Sequence, residues 1–373
     1  MQNNQKCYEL TLTPTYVADW DFGNAIRELI QNGIDQETID PNNKFSLVYD
    51  STREVIRFIS PRSKLNINTL LLGKTNKANN EFTVGQFGEG YKIAALVLNR
   101  LGKTFTIYNN NAKQLWTSRI KNSEKWKEKI LAFYVSSLEP IDEGLIIEVG
   151  NVSEDEYYEL EEIWLGFYNY DDVGKIETSY GDILLEHEGE VYVSGLSINC
   201  NSDLRYGYNF KPQYIRLERD RKTCDSWNAR TVTSKMIAEA LVNGKIKPEV
   251  VREMVESDCD DIYNMDIIAE NGYLKKILIE AFDKEYTSPF SIPVDSQEKF
   301  KRVKAMGGNP VIVQHRVASI LSSETDRRIE ELANLPMSEG LTLQGKFMRW
   351  LAVYEDNLDK EAIEEFKRLV DKL

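Results

Sequence analysis

Histidine is scarce in this chain of 373 residues, and its scarcity argues against two classes of site. Only His187 and His315 occur, so a zinc centre or a phosphorelay has little to be built from. Cysteine is also scarce and scattered, without a Cys-x-x-Cys pair: Cys7, Cys200, Cys224 and Cys259. We expect reduced thiols, although the sequence leaves a disulfide open.

Long apolar runs are missing as well. The longest uninterrupted runs are short, such as residues 93–98, whereas a helix that spans a bilayer needs about 20 apolar residues. The first residues, Met-Gln-Asn-Asn-Gln-Lys, lack the apolar core of a signal peptide. We therefore expect a cytoplasmic protein with no membrane association.

The negative charge of the chain is unevenly distributed. The net charge is −14, yet residues 1–135 have a small excess of Lys and Arg, and residues 136–240 are strongly acidic. A mildly basic first part suits a polyphosphate ligand. The acidic remainder does not support a nucleic-acid partner, because binding to nucleic acid depends on Lys and Arg meeting phosphates. The length predicts two or three domains.

Glycines stand before a helix-forming, mostly apolar segment at residues 91–101. Gly85, Gly88 and Gly90 allow close approach to the main chain, and a helix N-terminus presents N–H groups that favour an anion. The glycines are not followed by Gly-Lys-Ser/Thr, so they do not form a P-loop. This stretch predicts a phosphate-binding turn.

A second stretch, residues 26–35, is predicted to be helical. Glu28, Asn32 and Asp35 fall at i, i+4 and i+7 and share one face. A carboxylate beside a triphosphate can polarise water, and an amide can ligate the Mg²⁺ that bridges the phosphates. The alternative for this face is a solvated polar stripe.

Three stretches together resemble the GHKL family of gyrase B, heat-shock chaperones, sensor histidine kinases and MutL. They are Glu28-x-x-x-Asn32-x-x-Asp35, Leu72-Gly-Lys-Thr-Asn-Lys77 and Gly85-Gln-Phe-Gly-Glu-Gly90. The resemblance covers about the first 150 residues well and the next 75 loosely. Poorly characterised phage and bacterial GHKL-type proteins are the nearest resemblance.

The resemblance implies an ATP- and Mg²⁺-binding site with Glu28 as general base and Asn32 as metal ligand. It implies further that these residues line the nucleotide: Asp35, Ser60, Lys74, Thr75, Lys77, Gly85, Gln86, Phe87, Gly88 and Gly90. Residues 73–84 correspond to the family's nucleotide lid, with a plain surface loop as the alternative.

A basic residue that senses the γ-phosphate is implied by the transducer-like segment. Arg219 is the best positional match, with Arg216, Arg221 and Lys222 as near alternatives. A surface salt-bridge cluster with Glu218 and Asp220 is the other interpretation.

The adenine-reading box of the family is missing. Its Asp-x-Gly-x-Gly position aligns with Ser60-Pro-Arg-Ser-Lys64, and the family's Gly-Thr pair aligns with Gly144-Leu145. The groups that recognise adenine are therefore replaced, whereas the phosphate and water groups are present. We expect weak selectivity for the base.

The predicted fold class is α+β, with a Bergerat-type α/β sandwich at residues 1–168, a β-rich transducer-like segment at 169–243 and a mainly helical domain at 244–373. Alternation predicts strands at 45–50 and 55–59, and further strands at 104–108, 114–119, 130–136 and 144–149. Ser153–Glu156 forms a capping box that is predicted to open a helix to about Leu165.

Two functions remain open from the sequence. One is a GHKL-type ATPase that hydrolyses ATP slowly and changes shape or forms a homodimer. The other is a non-catalytic interaction or regulatory module that binds a protein partner and has weak or base-unselective nucleotide binding. Glu28 favours the enzyme, and the missing adenine box favours the binding module.

Overall fold

The computed structural model describes residues 5–71, 90–140, 142–168, 173–217, 222–264, 272–288, 290–335, 341–354, 357–370 and 372. The chain divides into two compact units. The first comprises Met1–Lys175, Gly181–Asn201 and Gly207–Asn228, and the second comprises Ile176–Tyr180, Ser202–Tyr206 and Ala229–Leu373. The three-part division expected from the sequence stays a prediction.

A seven-stranded, fully antiparallel sheet forms the base of the first unit. Its order is β1-β6-β5-β4-β7-β3-β2. The strands are β1 (Lys6–Glu9), β2 (Ser46–Asp50), β3 (Val55–Ser60), β4 (Thr104–Asn109), β5 (Gln114–Asn122), β6 (Lys129–Ser137) and β7 (Leu145–Gly150). The strands predicted by alternation are confirmed.

Two helices, α1 (Phe22–Ile39) and α2 (Gly90–Arg100), cover one face of this sheet. Asp21 caps α1, since its Oδ1 accepts a hydrogen bond from the Asn24 N–H at 2.8 Å. The helices bury their apolar side chains against alternate residues of the strands. The result is a two-layer α/β sandwich within an α+β chain, as the sequence predicts.

The capping box at Ser153 is present, but the helix it opens is shorter than predicted. This helix, α3 (Glu154–Tyr158), gives way to 3₁₀ turns at Glu159–Glu161 and Leu165–Phe167. Acidic side chains at 159, 161 and 162 oppose the negative C-terminal end of a longer helix.

The first unit also contains a small mixed sheet with the order β11-β10-β12-β9. Its strands are β9 (Gly181–Leu184), β10 (Val191–Val193), β11 (Leu196–Ile198) and β12 (Gly207–Phe210), while β8 (Lys175–Glu177) lies at the boundary of the units. Ser194 and Gly195 both have positive φ, at 50° and 79°, and turn β10 into β11. The apolar run at 191–198 is thus a hairpin.

The second unit is mainly helical. Its helices are α4 (Ser226–Val242, beginning in the first unit), α5 (Pro248–Glu256), α6 (Gly272–Glu285), α7 (Gln297–Ala305), α8 (His315–Ile320), α9 (Ser322–Ala333), α10 (Leu343–Tyr354) and α11 (Lys360–Val370). It also contains a two-stranded sheet, in which β13 (Ser291–Val294) pairs in parallel with β14 (Asn309–Ile312) through α7. Within the described ranges, no helix has the length and apolarity needed to cross a bilayer.

Arg100, the last residue of α2, fastens the segment that precedes α1. Its guanidinium donates to four backbone oxygens, those of Pro14 at 2.9 Å, Tyr16 at 3.3 Å, Val17 at 3.1 Å and Trp20 at 2.6 Å. One side chain therefore satisfies four backbone acceptors within residues 14–20, which form neither helix nor strand.

We predict that Arg100→Met lowers the free energy of unfolding by about 2–4 kcal/mol, because several half-buried carbonyls lose their donor at once. Urea denaturation measures the change. Arg119→Met is the control: Arg119 is exposed and stacks on the Tyr134 ring at 4.1 Å, a contact worth about 1 kcal/mol or less. Equal losses in the two variants would contradict this role for Arg100.

Candidate functional site

The polar face of α1 is partly enclosed by the fold. Glu28 and Asn32 are half-buried, and Asp35 is only 1% exposed. The Asn32 Nδ2 donates to the backbone oxygen of Glu28 at 2.8 Å, which fixes the amide against its own helix. A solvated stripe does not describe this face, because a solvated carboxylate at Asp35 would be exposed.

Gly90, the first residue of α2, lies directly against this face. A Cβ built on Gly90 would come within 2.3 Å of the Glu28 Oε2 and 3.1 Å of the Asn32 Nδ2. Real Cβ atoms do not approach other atoms so closely, so a larger residue at this position would require the Glu28 carboxylate to move. The fold therefore brings together the last glycine of one sequence motif and the acidic and amide groups of the other.

The fit of a magnesium ion depends on the donor atoms of Asn32. Mg²⁺ takes oxygen ligands, so the atom with which Asn32 would ligate it is Oδ1, while Nδ2 donates to the Glu28 backbone oxygen. An amide oxygen next to a carboxylate is a hard oxygen donor, which Mg²⁺ prefers. Residue chemistry here fits a phosphate-bound Mg²⁺ with few protein ligands.

Two side chains of α2 hold the segment that leads up to residue 71. The ammonium of Lys92, a fully buried residue, donates to the backbone oxygens of Thr69 and Leu71, both at 2.8 Å. The Tyr91 hydroxyl meets the Thr69 Oγ1 at 2.9 Å, and burial raises the pKa of this phenol. The sequence pattern did not reveal this role of Lys92. Its only signal there is a single cation within an apolar run.

The residues aligned with the family's adenine box are neighbours. Ser60 on β3 pairs with Leu145 on β7, and Leu145 pairs in turn with Asn109 on β4. Leu145 alternates with Ile147 and packs against the core, so this row faces the helices. The segment that begins at Ser60 and the pair Gly144-Leu145 are therefore adjacent in the sheet. Their alignment with the family's adenine-binding residues stays a prediction.

Glycine at position 144 is required for this closeness. Gly144 has a φ of 71°, and a Cβ there would lie 2.3 Å from the Pro61 oxygen and 2.4 Å from the Ser60 oxygen. The chain after β3 therefore passes directly over the start of β7.

Asn109 is a second residue that the sequence pattern did not reveal. It is fully buried, its Nδ2 donates to the Leu65 oxygen at 2.8 Å, and its Oδ1 accepts from the Leu65 N–H at 3.2 Å. Such a paired amide fixes the backbone between β3 and residue 71. Its only signal in the sequence is a polar side chain that continues the alternating row of Phe105 and Ile107 on β4.

Several predicted site residues lie outside the described ranges: Lys74, Thr75, Lys77, Gly85, Gln86, Phe87, Gly88, Arg219 and Arg221. The predicted lid at 73–84 also lies outside them. Of the alternatives to Arg219, the Arg216 N–H donates to the Asn228 Oδ1 at 3.0 Å, and the Lys222 ammonium lies 6.0 Å from the centre of the Trp20 ring. The roles of all these residues stay predictions.

Comparisons with known proteins give distant similarities. No protein-family model matches the sequence. An uncharacterized protein of Mycoplasma pneumoniae is 27% identical over 225 residues, which cover 56% of this chain and 87% of that protein.

A solved structure of the ATPase and transducer domains of DNA topoisomerase II from Balamuthia mandrillaris is similar over 47% of this chain, with 11% identity and a TM-score of 0.29. The match spans 59% of that chain. A similarity of this size establishes neither a shared fold nor a shared function.

We predict that Gly90→Ala is destabilising by up to about 1 kcal/mol, because the added methyl group must displace the Glu28 carboxylate, which is the end of a flexible side chain. Thermal unfolding followed by circular dichroism measures this loss. Gly272→Ala is a matched control, since Gly272 also begins a helix but a Cβ there meets nothing within 4 Å. That control should be neutral or slightly stabilising. A Gly90→Ala variant as stable as the parent would contradict this prediction, because it would show that the Glu28 carboxylate moves aside without cost.

Proposed function

We propose that the chain is a GHKL-type nucleotide-binding protein that hydrolyses Mg-ATP slowly and uses binding to change shape or to dimerise. One observation carries the proposal: Gly90 lies directly against the side chains of Glu28 and Asn32, and a Cβ at this position would come within 2.3 Å of the Glu28 Oε2. Gly90, the last glycine of the predicted phosphate-binding turn, is thereby adjacent to the face to which we assign the activation of water.

Glu28 is the group we assign to proton transfer. Its half-buried carboxylate lies at the start of α2, where a terminal phosphate would be held. It can take a proton from the water that attacks the γ-phosphorus, as the new P–O bond forms and the bond to ADP breaks. A general base of this kind contributes about 10²–10⁴-fold to the rate.

Asn32 and the beginning of α2 supply the remaining groups. Asn32 would hold Mg²⁺ through Oδ1, and the bound ion would neutralise the phosphate oxygens. The N–H groups at the start of α2 favour the same negative charge. Lys92 and Asn109 act indirectly, because they fix the backbone of residues 65–71 and not a reacting atom.

A second candidate function, a regulatory module that binds nucleotide without turnover, is favoured by the inward-facing row of Ser60, Leu145 and Asn109. This row has no carboxylate to accept a hydrogen bond from an adenine amino group, and the Asn109 amide is engaged with Leu65. Binding in such a protein would depend on the phosphates and Mg²⁺. Turnover measurements separate this candidate from the enzyme.

We predict that Glu28→Gln lowers ATP turnover roughly a hundredfold or more while leaving nucleotide affinity within about threefold, because the amide keeps the size but cannot accept the proton. Phosphate release and calorimetry are the two measurements. Glu37→Gln is the control on the same helix, where Glu37 bonds Lys44 at 2.6 Å. Asn32→Ala should instead lose Mg²⁺-dependent binding. Parental turnover in Glu28→Gln would remove the catalytic assignment, and binding without turnover in the parent would favour the regulatory module.

We predict that ATP and GTP bind within about tenfold of each other, which corresponds to about 1.4 kcal/mol. The Ser60 hydroxyl can donate or accept, and Leu145 offers apolar surface, so neither base is penalised strongly. Calorimetry on both nucleotides checks this. Ser60→Asp should shift the preference toward ATP, whereas Ser46→Asp on the neighbouring exposed edge strand should not. A parental preference for ATP of several hundredfold would show that another residue reads the base.

A further inference from the structure

An isolated parallel β-bridge brings two cysteines that are distant in sequence close together in the first unit. The Asn199 N–H donates to the Lys222 oxygen at 2.6 Å, and the Cys224 N–H donates to the Asn199 oxygen at 3.2 Å. Asn199 is thereby paired with Thr223 in a parallel bridge. The residue after each bridge partner is a cysteine, so Cys200 and Cys224 lie opposite each other on the same side.

The separation of these strands suits a disulfide. Neighbouring strands lie about 4.7–4.9 Å apart, and disulfides join residues whose Cα atoms are about 4.4–6.8 Å apart. The two thiols are also hydrogen-bonded to each other. This hydrogen bond is the larger cause of the raised pKa of Cys224, and burial of the thiol raises the pKa further. Both cysteines are reduced in the structure.

The two thiols differ in access, and this difference sets an order of reaction. Cys200 is half-buried, whereas Cys224 is only 4% exposed. A small reagent can reach the Cys200 sulfur, while Cys224 is positioned to react only with its neighbour. Cys7 is exposed and Cys259 is half-buried, so both provide internal references for ordinary thiol reactivity.

We propose that Cys200 and Cys224 form a reversible disulfide site that is oxidised by small-molecule disulfides such as oxidised glutathione. The Cys200 thiolate attacks one sulfur of glutathione disulfide, which forms a mixed disulfide and releases one glutathione thiolate. Cys224 then loses its proton and attacks the Cys200 sulfur, and the second glutathione leaves. Two protein thiols are oxidised and one glutathione disulfide is reduced to two glutathione molecules.

The new disulfide would hold together the two chain segments joined by the bridge between Asn199 and Thr223. It closes a loop of more than 20 residues, which restricts the unfolded chain. It also holds the two backbone hydrogen bonds of Asn199 in place. This inference is independent of nucleotide binding, and it stands or falls without the proposed function.

The experiment uses the full-length Cys7→Ser/Cys259→Ser variant, which keeps only the proposed pair. The protein is equilibrated in glutathione buffers of rising oxidised fraction, then alkylated and examined by intact mass and peptide mapping. We expect loss of two hydrogens, a Cys200–Cys224 crosslink and full reversal by dithiothreitol. Oxidation should raise Tm by at least roughly 5 °C and slow amide exchange at Asn199 and Cys224.

Single variants in the same background test the order of attack. Cys224→Ser should accumulate glutathione on Cys200, and Cys200→Ser should take up little, because Cys224 is buried. Should Cys224→Ser fail to fold, Cys224→Ala replaces it. Oxidised protein that carries two glutathiones without a crosslink, or a parental chain that crosslinks through Cys7 or Cys259 instead, would overturn the proposal.

Discussion

The contact between α1 and α2 at Gly90 is the constraint on which the candidate site depends. Both helices pack on the same face of the antiparallel sheet, and at this point the side chains of Glu28 and Asn32 occupy the space that a Cβ on Gly90 would need. A larger residue would force the helices apart or displace Glu28. The chemistry proposed here therefore depends on helix packing as much as on the identity of the polar groups.

Much of the first unit is predictable from the sequence, because its signals are local. Alternation in residues 45–59 gives the β2–β3 hairpin, and the spacing of Glu28, Asn32 and Asp35 gives a single helix face. The contact of Gly90 with that face is not local, and a resemblance to a family was needed to expect it. The structure shows how closely Gly90 approaches the side chains of Glu28 and Asn32.

The groups that the sequence did not reveal owe their roles to tertiary contacts. Lys92 is a cation among the apolar residues of α2. Its hydrogen bonds to the backbone oxygens of Thr69 and Leu71 form only when the segment at residues 69–71 packs on α2. Asn109 likewise pairs with Leu65 across 44 residues. The predicted helix to Leu165 was wrong because propensity and a capping box do not outweigh three acidic residues at the helix end.

The order of strands in the large sheet constrains how the chain can assemble. β1 lies at one edge and β2 at the other, although they are consecutive, and Lys6 pairs with Val135. During synthesis the first strand therefore has no partner until β6 has emerged, whereas β4, β5 and β6 form local hairpins at once. The sheet is expected to grow outward from β4, β5 and β6, with β1 added at one side and β7, which joins β3 to β4, at the other. Until then, the open edge of β6 is a place where a second nascent chain can pair in its stead.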